Sequence, residues 1–185
     1  GAMVGANACA AAALQHDFAN NMMQYSLASD SLLRSGTAAV HKSWLWRGTH
    51  QTFIEALPSS PPSSSSSSSK EAEGGEEKVV LFCHGFGAMG AHFRDNIDEL
   101  CSKGYKVYCP TLPGYGRSEK ASAQYTPELW SEYVRDFITN VVKRPVVIAG
   151  NSIGGYISAF TSAKNPNLVK GLILINTAGR LVEDT

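Results

Sequence analysis

The sequence predicts an α/β protein, a mostly parallel sheet with helices on both faces. Three observations carry this. Between residues 78 and 175, apolar strand-like runs alternate with segments of helical apolar spacing. The runs at 79–83, 106–112, 146–149 and 172–175 are nearly all apolar, as strands covered on both faces must be. Finally, Val146-Val147-Ile148-Ala149 passes without a spacer through Gly150-Asn151-Ser152-Ile153-Gly154 into residues of helical periodicity, so strand, sharp turn and helix follow one another directly.

The chain begins Gly1-Ala2-Met3, which reads either as a cloning scar or as the interior of a longer protein. Residues 1–42 are expected to be a helical or linking segment: Leu14, Phe18, Met22, Met23 and Leu27 give an Ala-rich stretch one apolar side. The stretch lacks the arginines of a transit peptide and the unbroken apolar centre of a secretory signal. Residues 43–57 alternate loosely around Arg47-Gly48-Thr49-His50 and read as a first strand pair with a turn. A proline and serine tract followed by an acidic one then occupies 58–77; such composition buries too little to order itself, so a disordered insertion is expected there.

Residues 78–185 carry the core. After the first apolar run, His84-Gly85-Phe86-Gly87-Ala88-Met89-Gly90 reads as a flexible turn. Phe93, Ile97, Leu100 and Cys101 then recur at helical spacing, with Gly104 placed to stop the helix. Pro113-Gly114-Tyr115-Gly116-Arg117-Ser118 forms a second glycine-bearing loop after the next strand. Thr126-Pro127-Glu128 has the order of a helix start: a capping hydroxyl, proline at the first position and an acid in the first turn. Leu129, Tyr133, Val134, Phe137, Ile138 and Val141 supply its apolar face. The helix after Ser152 ends at Asn165-Pro166, before a final strand.

The 185 residues suit one domain with a real core. Lys plus Arg equals Asp plus Glu at 16 each, which points away from a general polyanion partner, nucleic acid included. No apolar run is long enough to span a bilayer. Of the four cysteines, Cys83, Cys101 and Cys109 fall in apolar runs or faces, where packed thiols are the default, and Cys9 lies in an alanine run. No cysteine or histidine grouping has zinc spacing, and the chemistry below needs neither metal nor cofactor.

In a parallel sheet, ligands gather at the carboxyl ends of the strands, where the His84, Pro113 and Ser152 turns all fall. Ser152 sits at the centre of Gly-x-Ser-x-Gly, a turn that lifts a serine out of the sheet's end; Gly150 and Gly154 let strand and helix pass closely. Hydrolysis through Ser152 requires a base for its proton and donors for the developing oxyanion. The donors expected are the backbone N–H of Ile153, at a helix start, and that of Phe86, in a loop that Gly85 and Gly87 let turn inward. His84 is expected to brace this turn rather than act as base. His16, His41, His50 and His92 do not suit that role either, and none of the five histidines follows Ser152. Glu183 and Asp184 are placed to supply an acid but look like a solvated end. The expectation is a chain that stops before its acid and histidine and is inactive by itself. A competing reading is that Gly85-Phe86-Gly87-Ala88-Met89-Gly90 binds a dinucleotide. It fails to find the acid or arginine that should follow the next strand, where Cys109-Pro110-Thr111-Leu112 stands.

Taken together, His84-Gly85-Phe86-Gly87, Pro113-Gly114-Tyr115-Gly116-Arg117-Ser118 and Gly150-Asn151-Ser152-Ile153-Gly154-Gly155 resemble, in order and spacing, the α/β-hydrolase fold family. The resemblance covers roughly residues 44–179. Within it, 93–97, 116–120, 150–156 and 168–170 look like the plastid hydrolases of plants and algae, including those fused behind a photolyase-like domain, with pheophytinase-like enzymes as neighbours. Residues 1–5 look like the junction in such fusions. The resemblance implies the N-terminal part of an α/β-hydrolase fold, with Ser152 as nucleophile, Phe86 and Ile153 as oxyanion donors, and His84, Gly85, Gly87, Gly150, Asn151 and Gly154 in supporting places. It also implies an acid, a histidine and a lid on later residues, and a small-molecule ester or lipid-like substrate. A fused upstream domain and a chloroplast location follow from it as well, with the cytoplasm as the alternative. A serine at the elbow favours carboxylic ester or thioester cleavage over dehalogenase or epoxide-hydrolase chemistry. A non-catalytic binding module of the same fold is the remaining alternative.

Overall fold

The computed structural model describes residues 39–58, 77–121 and 123–179. The helix expected before residue 38, residues 59–76 of the insertion expected at 58–77, and Glu183 and Asp184 lie outside the described residues.

Strand β1 (Ala39–Trp46) and strand β2 (Thr49–Ala56) form an antiparallel hairpin. Its two turn residues, Arg47 and Gly48, both have positive φ, the geometry that matches the twist of the flanking strands. The hairpin corrects one expected boundary: β1 begins at Ala39 rather than Ser43, because Ala39 to Lys42 pair with Phe53 to Ala56. Those residues alternate too weakly in hydrophobicity to announce a strand, and it is their partners on β2 that order them.

Strands β3 (Lys78–Cys83), β4 (Tyr105–Pro110), β5 (Val146–Asn151) and β6 (Val169–Ile175) pair in parallel, and the sheet order is β1-β2-β4-β3-β5-β6. The chain leaves β3 for β4 on one side and then crosses to β5 on the other, so β3 and β5 flank the switch in strand order. Helix α1 (Arg94–Ser102) makes the first crossover and helix α2 (Pro127–Phe137) the second; helix α3 (Ile153–Lys164) leads from β5 to β6.

The two sheet faces build separate cores. Because successive strand side chains alternate, Leu81 and Cys83 pack with Ile148, Tyr133, Phe137 and Ile157 beneath α2 and α3. Val80 and Phe82 pack with Val107, Cys109, Ile97 and Cys101 beneath α1. Each central strand is therefore apolar throughout, the pattern that identified the parallel sheet in the sequence. Burial pushes the Cys83 thiol up to about 12 and the Cys101 thiol up to about 11, so both are unreactive packing groups.

Helix α2 starts as its sequence dictates. Thr126 is extended, and its hydroxyl accepts the Leu129 N–H at 3.2 Å, with Pro127 at the first turn. The helix anchors the hairpin through Trp44, Trp46 and Phe53, whose rings meet Tyr133 or Phe137 at 5.1–5.7 Å between centroids. Replacing Thr126 with alanine is expected to lower stability by about 1 kcal/mol, read as a lower urea midpoint at unchanged slope.

Strand β6 is apolar on both faces, yet Leu172, Ile173, Leu174 and Ile175 are 39–50% exposed. Among the described residues its outer edge pairs with no strand. A strand of this composition belongs inside a sheet, covered on both faces.

Candidate active site

The turn between β5 and α3 is strained at one residue. Ser152 has φ 55° and ψ −120°, a conformation that L-residues seldom adopt outside sites where the surrounding structure enforces it. The enforcement is steric and comes from the glycines. A methyl group on Gly150 would lie 2.3 Å from the Gly154 carbonyl oxygen, and one on Gly154 would lie 2.2 Å from the Cys83 carbonyl oxygen. The helix thus starts against the backbone of both β5 and β3. Ser152 itself is half-buried at this rim rather than packed in a core.

The loop after β3 meets the elbow. A methyl on Gly85 would lie 3.3 Å from Ser152 Cβ and 2.9 Å from Asn151 Oδ1. Gly87 takes φ 71°, and the Ala88 N–H closes a turn onto the Gly85 carbonyl at 3.2 Å. Phe86, at the tip, is 81% exposed, with its ring against the edge of Tyr115. The N–H of Ile153, first in α3, lies outside that helix's own ladder, at the positive end of its dipole. The loop that carries Phe86 thus meets the turn at Gly85, and Ile153 opens the helix that follows Ser152.

His84 is fully buried, and both of its ring nitrogens are engaged. The Leu112 N–H donates to Nε2 at 2.9 Å, so Nε2 carries no proton; Nδ1 then bears it and donates to the Gly85 carbonyl at 2.8 Å. Burial lowers the imidazole from its ordinary value to about 4, against the Gly85 bond, which raises it. His84 is thus a neutral brace that ties the β3 loop to the end of β4. His41 and His50 lie on β1 and β2. Since β2 and β5 are separated by β4 and β3, these strands are about 14 Å or more from the Ser152 strand. His92 is exposed in a short turn of helix leading into α1.

The glycine run of the β3 loop passes into a short turn of helix, Gly90–Phe93, before the α-helix. Its third glycine, Gly90, is pressed against β4, where a methyl would meet the Cys109 carbonyl oxygen at 2.3 Å. Helix α1 begins only at Arg94.

Several contacts at this edge were not legible in the sequence. Ser118, in the second glycine loop, is buried; its hydroxyl donates to the Thr111 carbonyl at 2.9 Å and accepts the Thr52 N–H at 3.1 Å, pinning that loop to β2. Tyr115 packs on the edge of His84. Residues after β6 reach back to the elbow: the Ser152 N–H donates to the Ile175 carbonyl at 3.1 Å, and the Ala178 N–H donates to the Ser152 carbonyl at 2.9 Å. Only a run of small and polar residues, Asn176-Thr177-Ala178, marks that segment in the sequence.

A strained strand-to-helix turn at the carboxyl edge of a mostly parallel sheet, faced by a glycine loop from a neighbouring strand, is the arrangement of an α/β-hydrolase fold. The family model for the alpha/beta hydrolase fold matches residues 78–184, and the chain belongs to that family. Among curated relatives, it is 30% identical over 128 residues to the chloroplastic pheophytinase of Arabidopsis thaliana, an alignment covering 52% of this chain and 26% of that protein. It is also 30% identical over 105 residues to the pimeloyl-[acyl-carrier protein] methyl ester esterase of Chromobacterium violaceum, covering 57% and 39%. The chain thus spans between a quarter and two fifths of the length of these relatives. Among solved structures, the thioesterase domain of the curacin biosynthetic pathway superposes with a TM-score of 0.65 at 23% identity, over 80% of this chain and 47% of that one. A bacterial membrane phospholipase A superposes with a TM-score of 0.68 at 25% identity, over 99% and 53%. Among the described residues, no helix is long and apolar enough to cross a membrane.

Proposed function

We propose that the complete protein is a serine hydrolase that cleaves a carboxylic ester or thioester through an acyl-Ser152 intermediate. Ser152 Oγ attacks the carbonyl carbon and gives its proton to a base. The backbone N–H groups of Phe86 and Ile153 hold the oxyanion that forms. The alcohol or thiol then leaves with the proton returned by the base, and water hydrolyses the acyl-enzyme. The observation that carries this reading is the strained Ser152 backbone, set between two glycines that admit no side chain and against the Gly85 turn. Strain of this kind is kept where a reactive group must be presented. With His84 occupied, the base and its acid come from residues other than the described histidines; the apolar, edge-exposed β6 is consistent with a sheet that continues in the whole protein. The relatives named above support an ester or thioester as substrate, and the pheophytinase likeness supports a plastid location.

The test is a fluorophosphonate probe on the complete protein, with the adduct mapped by peptide mass spectrometry. Labelling is expected on the peptide bearing Ser152 and should disappear in Ser152→Ala. Equal labelling of the two proteins removes Ser152 from the mechanism. No adduct on either favours the second reading, a non-catalytic binding module of the same fold.

A further inference from the structure

The carboxamide of Asn151 and the segment that follows β6 form one assembly around the elbow. Asn151 Nδ2 donates to the Ile175 carbonyl at 3.3 Å, and the same carbonyl accepts the Ser152 N–H at 3.1 Å. The other end of the carboxamide, Oδ1, lies against Gly85, 2.9 Å from where its Cβ would be. Asn151 therefore touches both the β6 exit and the loop that carries the Phe86 N–H. The chain then doubles back at Asn176, with φ 43°. This brings Thr177 Oγ1 to 2.5 Å from a methyl position on Gly155, and the Ala178 N–H to the Ser152 carbonyl. That carbonyl accepts three N–H groups, those of Gly155 at 3.0 Å, Tyr156 at 3.2 Å and Ala178 at 2.9 Å. The first two belong to the helix start; the third ties the elbow to a different strand.

We infer that Asn151 and the Ile175–Ala178 segment are a positioning clasp, which fixes the distance between the two oxyanion-donor backbones and holds the Ser152 hydroxyl in attacking orientation. The inference rests on the serine-hydrolase reading of the same site. Asn151 touches no reacting atom; it acts through the backbones of Gly85 and Ser152. Its carboxamide suits the place because one end must donate to a carbonyl while the other fills the gap beside a glycine. An aspartate would fill the gap but set a carboxylate oxygen against the Ile175 carbonyl. Alanine would leave the gap empty.

The experiment compares the complete wild-type protein with Asn151→Ala, Asn151→Asp and Thr177→Ala. The readouts are the rate of fluorophosphonate labelling at Ser152, the kcat and KM on a p-nitrophenyl ester, and the Tm. A misplacement of about 1 Å at a reacting centre costs about 100-fold. Accordingly, Asn151→Ala and Asn151→Asp are expected to lower labelling rate and kcat by about 10- to 100-fold with KM within about twofold. Thr177→Ala should fall in the same direction by a smaller factor. Labelling still goes to completion at Ser152, which separates a slow nucleophile from an unfolded fraction. Wild-type labelling rates in both Asn151 variants, whether or not the Tm changes, would overturn the clasp while leaving the hydrolase reading intact. Failure of Ser152 itself to label in the wild type would remove the reading on which the clasp rests.

Discussion

Gly154→Ala is expected to cost about 3 kcal/mol or more of stability, with the urea midpoint falling sharply and any residual folded protein labelling poorly at Ser152. The added methyl would meet the Cys83 carbonyl oxygen at 2.2 Å and the His84 carbonyl oxygen at 2.5 Å. Both are backbone atoms at the end of β3, and Cys83 is paired to Gly150 in the β3–β5 ladder, so no side chain can rotate away to relieve the clash. Either α3 moves off the sheet or β3 loses its register with β5. Gly171→Ala is the matched control. There the methyl would find Val147 side-chain carbons at 3.5 and 3.7 Å, ordinary contact, and stability should stay within about 1 kcal/mol of wild type. A Gly154→Ala protein as stable as Gly171→Ala would mean that strand and helix at the elbow are not packed backbone to backbone.

The same close packing explains what could be read from the sequence. Glycines at 150 and 154 around a serine, directly after an apolar run, have few physical reasons other than a strand and helix in contact. Thr126-Pro127-Glu128 likewise has a local cause, and the structure places the cap where the residues put it. The parallel sheet was legible because Val79 to Cys83 are buried on alternate faces by two different cores. Where the determinants are not local, the sequence was silent. Ala39 to Lys42 become strand only through partners more than ten residues on. Ser118 looks like one more polar loop residue until Thr52 and Thr111 are brought to it. The return of Thr177 and Ala178 to the elbow depends on β6 lying beside β5, a tertiary fact with no periodic signature. His84 is intermediate: its neighbourhood of glycines identified a brace, but its second partner, Leu112, sits at the end of another strand.

That brace makes a pH prediction. An imidazole buried between the Gly85 carbonyl and the Leu112 N–H cannot accept a proton without setting Nε2–H against N–H, and burial is the first cause of a value near 4 in place of the ordinary 6.5. The nearby His92 charge acts in the same direction, and the Gly85 bond opposes both. Above pH 6.5 the group is neutral in both folded and unfolded chains and contributes no pH dependence. Between 6.5 and 4 the unfolded chain takes up a proton that the native state refuses. Stability should therefore fall with falling pH across this window, by about 3 kcal/mol in all, and the loss should level off below 4. His84→Gln offers an amide that can in principle accept from Leu112 and donate to Gly85 without titrating. Urea unfolding of the two proteins at pH 7.5, 5.5 and 4.5 isolates the term, because carboxylates contribute equally to both. The wild-type curve should lose stability relative to the variant as pH drops, and parallel curves would mean that His84 accepts its proton in the folded state. His84→Ala is expected to be less stable than wild type by about 3 kcal/mol or more at pH 7.5, since it strands the buried Leu112 N–H and Gly85 carbonyl and opens a cavity beneath the loop that carries Phe86; the gap should narrow toward pH 4.5, because the variant has no imidazole to titrate.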